Sequence, residues 1–326
     1  MKKYLSLLFT LIFSVTSIAP GFAVASAAEQ ISAEQTATAA QMPVNMSATD
    51  KLVALENMLY GTEQPGALVT RTDSLEDDIY GTVTKDSILT RIDNLYHYLQ
   101  GSDSTGEASF LIKLNAIEWQ FNESMAGGPA KNRIEAVESM IEGKVGEGPL
   151  ATRLETLAGL AFQDGIVAVE RVTLPKDSVV KVEFTQELSS RVAKAGDVVH
   201  YKVADNLFVN NVLVLPKGAT GIGHVKKVVP PRSFGRDARI DVDFGYIFAI
   251  DNSKVKVFIG ELAKQEAKTV AGAAGAAIGG MIVLGPIGAI GGAFVTGKAV
   301  VIPPGSVTYV QVEADSDITG MVYQAK

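Results

Sequence analysis

The sequence predicts an α + β multidomain protein: an N-terminal array of six helical repeats of about 20 residues, then a small β-barrel or sandwich with an inserted glycine-rich helical hairpin. Three observations predict it. A basic residue recurs at Lys51, Arg71, Arg91, Lys113, Arg133 and Arg153, in steps of 20, 20, 22, 20 and 20 residues. A fixed period of this order marks an array of like units, each too small to bury a core alone. From about Ile166 the apolar pattern changes to short β-branched runs separated by Pro, Gly, Asp and Asn. Between Thr269 and Gly297, 29 residues carry no charge and include nine glycines.

In chain order, Met1-Lys2-Lys3, the apolar run Leu5 to Phe13 and the small residues Ala23 to Ala28 read as a secretory leader. Ala25-Ser26-Ala27 fits the cleavage rule, which assigns residues 1–27 to a signal peptide and predicts export. Residues 28–48, rich in Ala, Thr, Gln and Ser, read as a flexible linker. The chain has no cysteine, so disulfides, thiolate metal sites, a thiol nucleophile and a lipoprotein anchor are excluded.

Residues 49–163 hold the repeat array. Counting from each basic residue, apolar side chains recur at +1, +4 and +8, as in Leu52, Leu55 and Leu59 or Ile92, Leu95 and Leu99, with another at −3 in several repeats. That spacing draws one stripe along a helix. Gly61, Gly81, Gly101 and Gly143 are the expected helix stops, since glycine enters the left-handed region without steric cost. Short helices with short loops predict either an up-and-down bundle or a small solenoid, stacked on itself or on another copy.

Residues 164–326 form the expected β-domain. Strands are predicted at Val179 to Phe184, Val198 to Val203, Val212 to Leu215, Ile222 to Val229, Arg239 to Phe244, Tyr246 to Ile250, Val255 to Ile259 and Val307 to Val312. A second repeat runs through them: Leu174-Pro-Lys-Asp-Ser-Val, Leu215-Pro-Lys-Gly-Ala-Thr and Ile302-Pro-Pro-Gly-Ser-Val. Proline presets the first turn position and Gly or Asp suits a later one, so each copy reads as a tight turn feeding a strand.

The insert, residues 269–297, carries Gly272, Gly275, Gly279, Gly280, Gly285, Pro286, Gly288, Gly291 and Gly292. Small-xxx-small spacing lets helix backbones approach closely, and in lipid that contact drives association. Its first half would rise only ~24 Å as a helix, below the ~30 Å hydrocarbon core, so a hairpin bent at Gly285-Pro286 fits better than a straight span. The hairpin is expected at a membrane or between copies of the chain; packing on its own β-domain is the bland alternative.

With these turns, the Leu188-Ser-Ser-x-x-Ala-x-x-Gly-Asp197 segment and the glycine-rich run, the C-terminal half resembles exported bacterial glycine-zipper envelope proteins. More distantly it resembles the outer-membrane pore subunit of type IV secretion systems: Leu215-Pro-Lys-Gly218 and Ile302-Pro-Pro-Gly305 match that family's turns, and Thr269–Gly297 occupies the place of its helical antenna. The resemblance implies a β-barrel with a membrane-directed insert. It covers about 150 residues.

No reactive constellation accompanies this architecture. Gly292-Ala-Phe-Val-Thr-Gly297-Lys298 nearly spells a phosphate-binding loop, but Ala299 stands where magnesium needs Ser or Thr. His97, His200 and His224 lack metal-ligand spacing. The alternating carboxylates Asp241/Asp243 and Glu313/Asp315/Asp317 read as solvated strand faces rather than calcium ligands or an acid and base pair. Lys226, Lys227, Arg232, Arg236 and Arg239 surround one turn and are candidate anion contacts, with an exposed hairpin tip as the plainer reading. Tyr60, Tyr80, Trp119 and Phe121 read as core or staple residues rather than a sugar platform.

Residues 50–163 carry 18 acidic and 9 basic side chains and residues 164–326 carry 16 and 18, so neither half has the concentrated basic face of a nucleic-acid binder. The sequence therefore predicts no enzyme, cofactor or metal. It predicts an exported structural scaffold in the periplasm or outer membrane of a bacterium, membrane-associated and self-associating, with a cell-wall polymer or envelope protein as a further partner. The alternative is a soluble binding module for such a polymer or protein.

Overall fold

Six helices of 12 or 13 residues fill the repeats in this computed structural model: α1 (Ala48–Tyr60), α2 (Leu68–Tyr80), α3 (Ile88–Gln100), α4 (Phe110–Asn122), α5 (Ala130–Glu142) and α6 (Leu150–Ala161). The structure describes residues 46–101, 107–229, 238–273 and 300–323. The expected leader lies outside the described residues, as does the linker up to residue 45.

Each helix starts three residues before its basic residue, so the apolar side chain at −3 is the first helical position. Ser47, Ser87 and Ser109 cap α1, α3 and α4 by accepting a backbone N–H from inside the first turn. Gly61, Gly81 and Gly143 end α1, α2 and α5 in the left-handed region, whereas Gly101 ends α3 in an extended conformation.

The predicted stripe is the core. Leu52, Leu55, Leu59, Leu95 and Leu99 share one buried cluster with stripe residues of every other helix, among them Leu75, Leu114, Ile134 and Leu154, while Phe121, Ile141 and Ala161 pack partly buried against it. The helices form two three-membered layers, α1 to α3 and α4 to α6, stacked so that α1 packs on α5, α2 on α6 and α3 on α4. The array is thus closed around one interior rather than open at its sides. Gly61 and Gly81 sit where the layers meet: a Cβ there would lie 2.8 Å from Pro129 Cγ and 2.6 Å from Pro149 Cγ.

Beyond α6 the described residues form twelve strands: β1 (Val169–Leu174), β2 (Val179–Phe184), β3 (Leu188–Ser189), β4 (Val198–Val203), β5 (Leu207–Val209), β6 (Val212–Leu215), β7 (Thr220–Val229), β8 (Arg239–Phe248), β9 (Lys254–Phe258), β10 (Val301–Ile302), β11 (Val307–Val312) and β12 (Ser316–Val322). Six of them close a barrel in the order β11-β2-β4-β7-β8-β9, and β1-β12-β6-β5 make a four-stranded sheet beside it. Strands β1, β3, β5, β10 and β12 are not among the predicted strands, and the two strands expected either side of Gly245 are one strand kinked there at φ 58°.

Inward residues alternate as in β2, whose Val180, Val182 and Phe184 are buried. Tyr201 lies across the barrel interior and its hydroxyl donates to the Phe244 carbonyl at 2.6 Å. Its strand partner must be glycine, because a Cβ on Gly221 would lie 2.1 Å from the Tyr201 ring. Burial pushes the Tyr201 phenol well above its usual range, so it stays a neutral donor.

A further helix, α7 (Glu261–Ala273), follows β9 and packs on β11 and β2. Buried Gln311 accepts from the Ala263 N–H and so holds the start of α7 on the barrel.

Candidate functional site

Most of the expected hairpin falls on residues that the structure does not describe. Gly272 lies in the last turn of α7, while Gly275, Gly279, Gly280, Gly285, Pro286, Gly288, Gly291 and Gly292 lie outside the described residues. No described helix is long and apolar enough to cross a membrane.

Of the candidate anion contacts, Arg232 and Arg236 also lie outside the described residues. Lys226 and Lys227 are exposed on β7, and Arg239 on β8 donates to Asp241 at 2.8 Å. The first half of β8 runs past the end of its pairing with β9, which begins at Tyr246. The space left is a groove of about 720 Å³ that takes in Lys226, Arg239, Asp241, Lys256, Lys264 and Glu313. Lys226 and Lys256 form no ion pair with described residues.

The carboxylates considered as chemical groups are engaged locally. Asp243 accepts from the Gly245 N–H, Asp315 accepts from the Lys176 N–H, and Asp317 accepts from Thr173 and Arg171. Tyr60 donates to Asp78, Tyr80 and Tyr98 pack ring to ring, and Phe121 lies against the array core.

The densest charge in the array is buried. Arg71, Arg91, Arg133 and Arg153 reach back 15 residues to Glu56, Glu76, Glu118 and Glu138. Three pairs are forked, as in Arg133, whose Nε donates to Glu118 Oε1 at 2.9 Å and Nη2 to Oε2 at 2.6 Å, while Arg91 sends both donors to Oε2 of Glu76, whose Oε1 accepts from the Thr84 hydroxyl. Each glutamate also accepts a loop N–H eight residues on, from Gln64, Thr84, Ala126 and Gly146. One buried carboxylate thus ties a helix, the loop that follows it and the next helix.

Arg153 donating to the Glu138 carboxylate holds it below its usual range, and the same pair raises Arg153. Burial alone would raise Glu76, yet donors from Arg91 and Thr84 more than offset it and its net shift is downward. A buried pair satisfied on both sides is a structural device, since removing one partner strands the other charge.

Helix α4 is the joint between array and barrel. It is buried nearly all round, with Leu114 and Ile117 in the helical core and Ile112, Ala116 and Trp119 in the barrel core. Asn115 links the two chemically: its Oδ1 accepts from Arg133 at 2.6 Å and its Nδ2 donates to the Ile250 carbonyl at 2.7 Å. Trp119 Nε1 donates to Asn206 Oδ1 at 2.9 Å, and its ring meets Phe208 and Tyr323 edge to face.

The loop after α4 completes the joint. The Met125 N–H donates to the Lys217 carbonyl at 2.7 Å, and Asn206 Oδ1 accepts the Lys217 N–H at 2.7 Å. The turn Leu215-Pro-Lys-Gly218 is therefore held on both sides.

The basic residues mark the repeat by their spacing, and their glutamate partners form a second series in register with them. The signal was present: Glu56, Glu76, Glu118 and Glu138 all stand five residues after a basic residue, while Tyr96 and Ala158 fill that position in the third and sixth repeats. Glutamate is absent where no following arginine needs it.

No family model matches this chain, and no curated protein matches it. Among solved structures, ComB10 of the Com type IV secretion system of Helicobacter pylori aligns over 46% of this chain and 97% of that one, with 14% identity and a TM-score of 0.26. At that score the likeness carries no argument.

Proposed function

We propose that this chain is a non-enzymatic structural scaffold of the bacterial cell envelope, exported by its leader, held at a membrane by the glycine-rich segment 269–297 and self-associating. The observation that carries this reading is the joint: α4 belongs to both cores, and Arg133, Asn115 and the Ile250 carbonyl form one buried relay between them. Such a joint makes array and barrel one rigid body, which suits an arm that holds a partner at a set distance from a membrane-bound base. Each described carboxylate considered for chemistry in the β-domain has local partners or faces solvent, and the buried charges of the array are spent on its own packing.

The test is fractionation of the host envelope for the intact protein and for a deletion of residues 274–297, each washed with high salt and then alkaline carbonate. Retention of the intact chain through both washes, with release of the folded deletion, is expected. Equal release of both forms would overturn membrane anchoring.

The groove beside β8 favours a second reading, a binding module for an anionic envelope polymer or protein, since Lys226 and Lys256, without an ion-pair partner among the described residues, both line it. Under that reading, Lys226→Ala with Lys256→Ala abolishes co-sedimentation with purified cell wall and leaves fractionation unchanged.

A further inference from the structure

The joint between array and barrel is built from two pieces that each recur in the chain. One is a turn. Leu174–Val179, Leu215–Thr220 and Ile302–Val307 share one backbone pattern: Asp177, Gly218 and Gly305 have φ of 63°, 88° and 83°, and their N–H groups donate to the carbonyls of Val312, Val203 and Phe184. The next residue in each, Ser178, Ala219 or Ser306, donates back to the turn's first proline.

The other piece is the array loop. Residues 61–67, 81–87, 123–129 and 143–149 each follow a helix and are each fastened by a buried glutamate. Only one pairing between the two sets is made inside the molecule, loop 123–129 on the Gly218 turn. Pro216 is buried there, whereas Pro175 and Pro303 are exposed.

Sequence and space single out which remaining copies match. Docking brings Met125 O to 2.1 Å from the position a Cβ on Gly218 would take, so the turn needs glycine at that point. Asp177 has a side chain there, whereas Gly305 is glycine with no described residue within 4 Å of that position. Among the loops, 143–149 matches 123–129 most closely: both end in Gly-Pro, with Gly128 at φ 103° and Gly148 at φ 91°.

The tip that corresponds to Met125 is Val145, an apolar side chain 47% exposed. In loop 61–67 the tip is Glu63, paired with Arg71, and loop 81–87 has Asp86-Ser87 in place of Gly-Pro. Among the described residues the Val145 N–H and the Pro304 carbonyl, the counterparts of the Met125 N–H and the Lys217 carbonyl, have no hydrogen-bond partner.

We propose that loop 143–149 of one copy docks on the turn Ile302–Ser306 of a second copy, repeating between chains the contact that loop 123–129 makes within one. Loop and turn are different surfaces, so the contact either is made twice across a two-fold axis, closing a pair, or runs head to tail and builds a ring or a filament. This deepens the self-association proposed above and rests on it.

The chain contains no cysteine, which makes the test direct. Full-length Val145→Cys and Pro304→Cys chains are mixed under mild oxidation, with each variant's circular dichroism checked against the parent. A disulfide-linked dimer is expected in the mixture and in neither variant alone. Adding Gly305→Asp to the Pro304→Cys chain should remove the link, because aspartate occupies the equivalent position in the native 174–179 turn yet places a Cβ in the way. Lys176→Cys should link to Val145→Cys only when Asp177→Gly accompanies it.

A link that survives Gly305→Asp, or no link between folded variants, overturns the proposal. Sedimentation of the parent chain separates the two levels: an oligomer without the 145–304 link removes this interface alone, and a monomer removes self-association with it.

Discussion

The two halves of the helical array are near copies offset by 62 residues, and they meet very different surroundings. Lys51, Glu56, Arg71, Glu76 and Arg91 have counterparts in Lys113, Glu118, Arg133, Glu138 and Arg153, and even the rim pair Lys51–Asp93 recurs as Lys113–Glu155. The difference lies on one face of the first helix. Where α1 carries Asp50, Val53 and Asn57, α4 carries Ile112, Asn115 and Trp119. Asp50 and Asn57 are exposed, and Ile112 and Trp119 enter the barrel core. A few side chains on an unchanged backbone thus separate a solvated helix from a joint. The ladder fixes how helices follow one another, and the opposite face decides what the array is attached to.

The largest expected difference between the halves is at that face. Trp119→Ala should cost about 3–5 kcal/mol, the range for truncating a buried aromatic. Asn57→Ala at the matching site should stay within about 0.5 kcal/mol, as surface changes do. Urea unfolding of both variants measures the gap, and equal losses would break the assignment of α4 as the joint.

The ladder should behave alike in both halves. Glu76→Ala and Glu138→Ala should each cost about 3 kcal/mol, because each strands a buried arginine. Replacing both members, as in Glu138→Leu with Arg153→Met, should recover most of that loss. Failure of the double variant to recover would mean that the loop N–H of Gly146, left without its acceptor, dominates the cost.

Acid should loosen the array next. The folded-state values of Glu76 and Glu138 lie below those of a free glutamate, so their contribution is complete above about pH 4.3 and is lost as pH falls through the lowered values. The thermal midpoint followed by far-ultraviolet circular dichroism should therefore drop below pH 4. A Glu138→Gln variant should show a shallower drop.

The smallest effect is expected at the rim. Lys51→Met and Lys113→Met should each cost about 0.2–1 kcal/mol, and the cost should shrink at high salt, since both acidic partners are half exposed. A larger loss in the second half alone would show that this pair also braces the joint.

What the sequence determined alone was whatever is carried by local spacing. The apolar stripe at +1, +4 and +8 needs only the period of a helix, and Gly61, Gly81 and Gly143 mark stops because the left-handed region disfavours a Cβ. The alternation in β2, β4 and β11 is equally local, and so is the Pro-x-Gly turn.

The tertiary structure decided what depends on partners far apart in the chain. Strands β1 and β12 carry solvent-facing polar residues and hold their place by pairing with each other, from Val169↔Met321 to Leu174↔Ser316. Helix α7 is not among the expected elements, and its anchor, Gln311, lies far along the chain on β11. Arg71 marks the repeat in the sequence without showing a partner; folding makes it and Glu56 one buried device, because the Coulomb term and the forked hydrogen bonds exist only once two helices stand side by side. The role of Asn115 was likewise invisible, since one partner, Arg133, lies in the next repeat and the other, Ile250, lies in the β-domain. Spacing reports the face a residue presents, and only packing reports what that face meets.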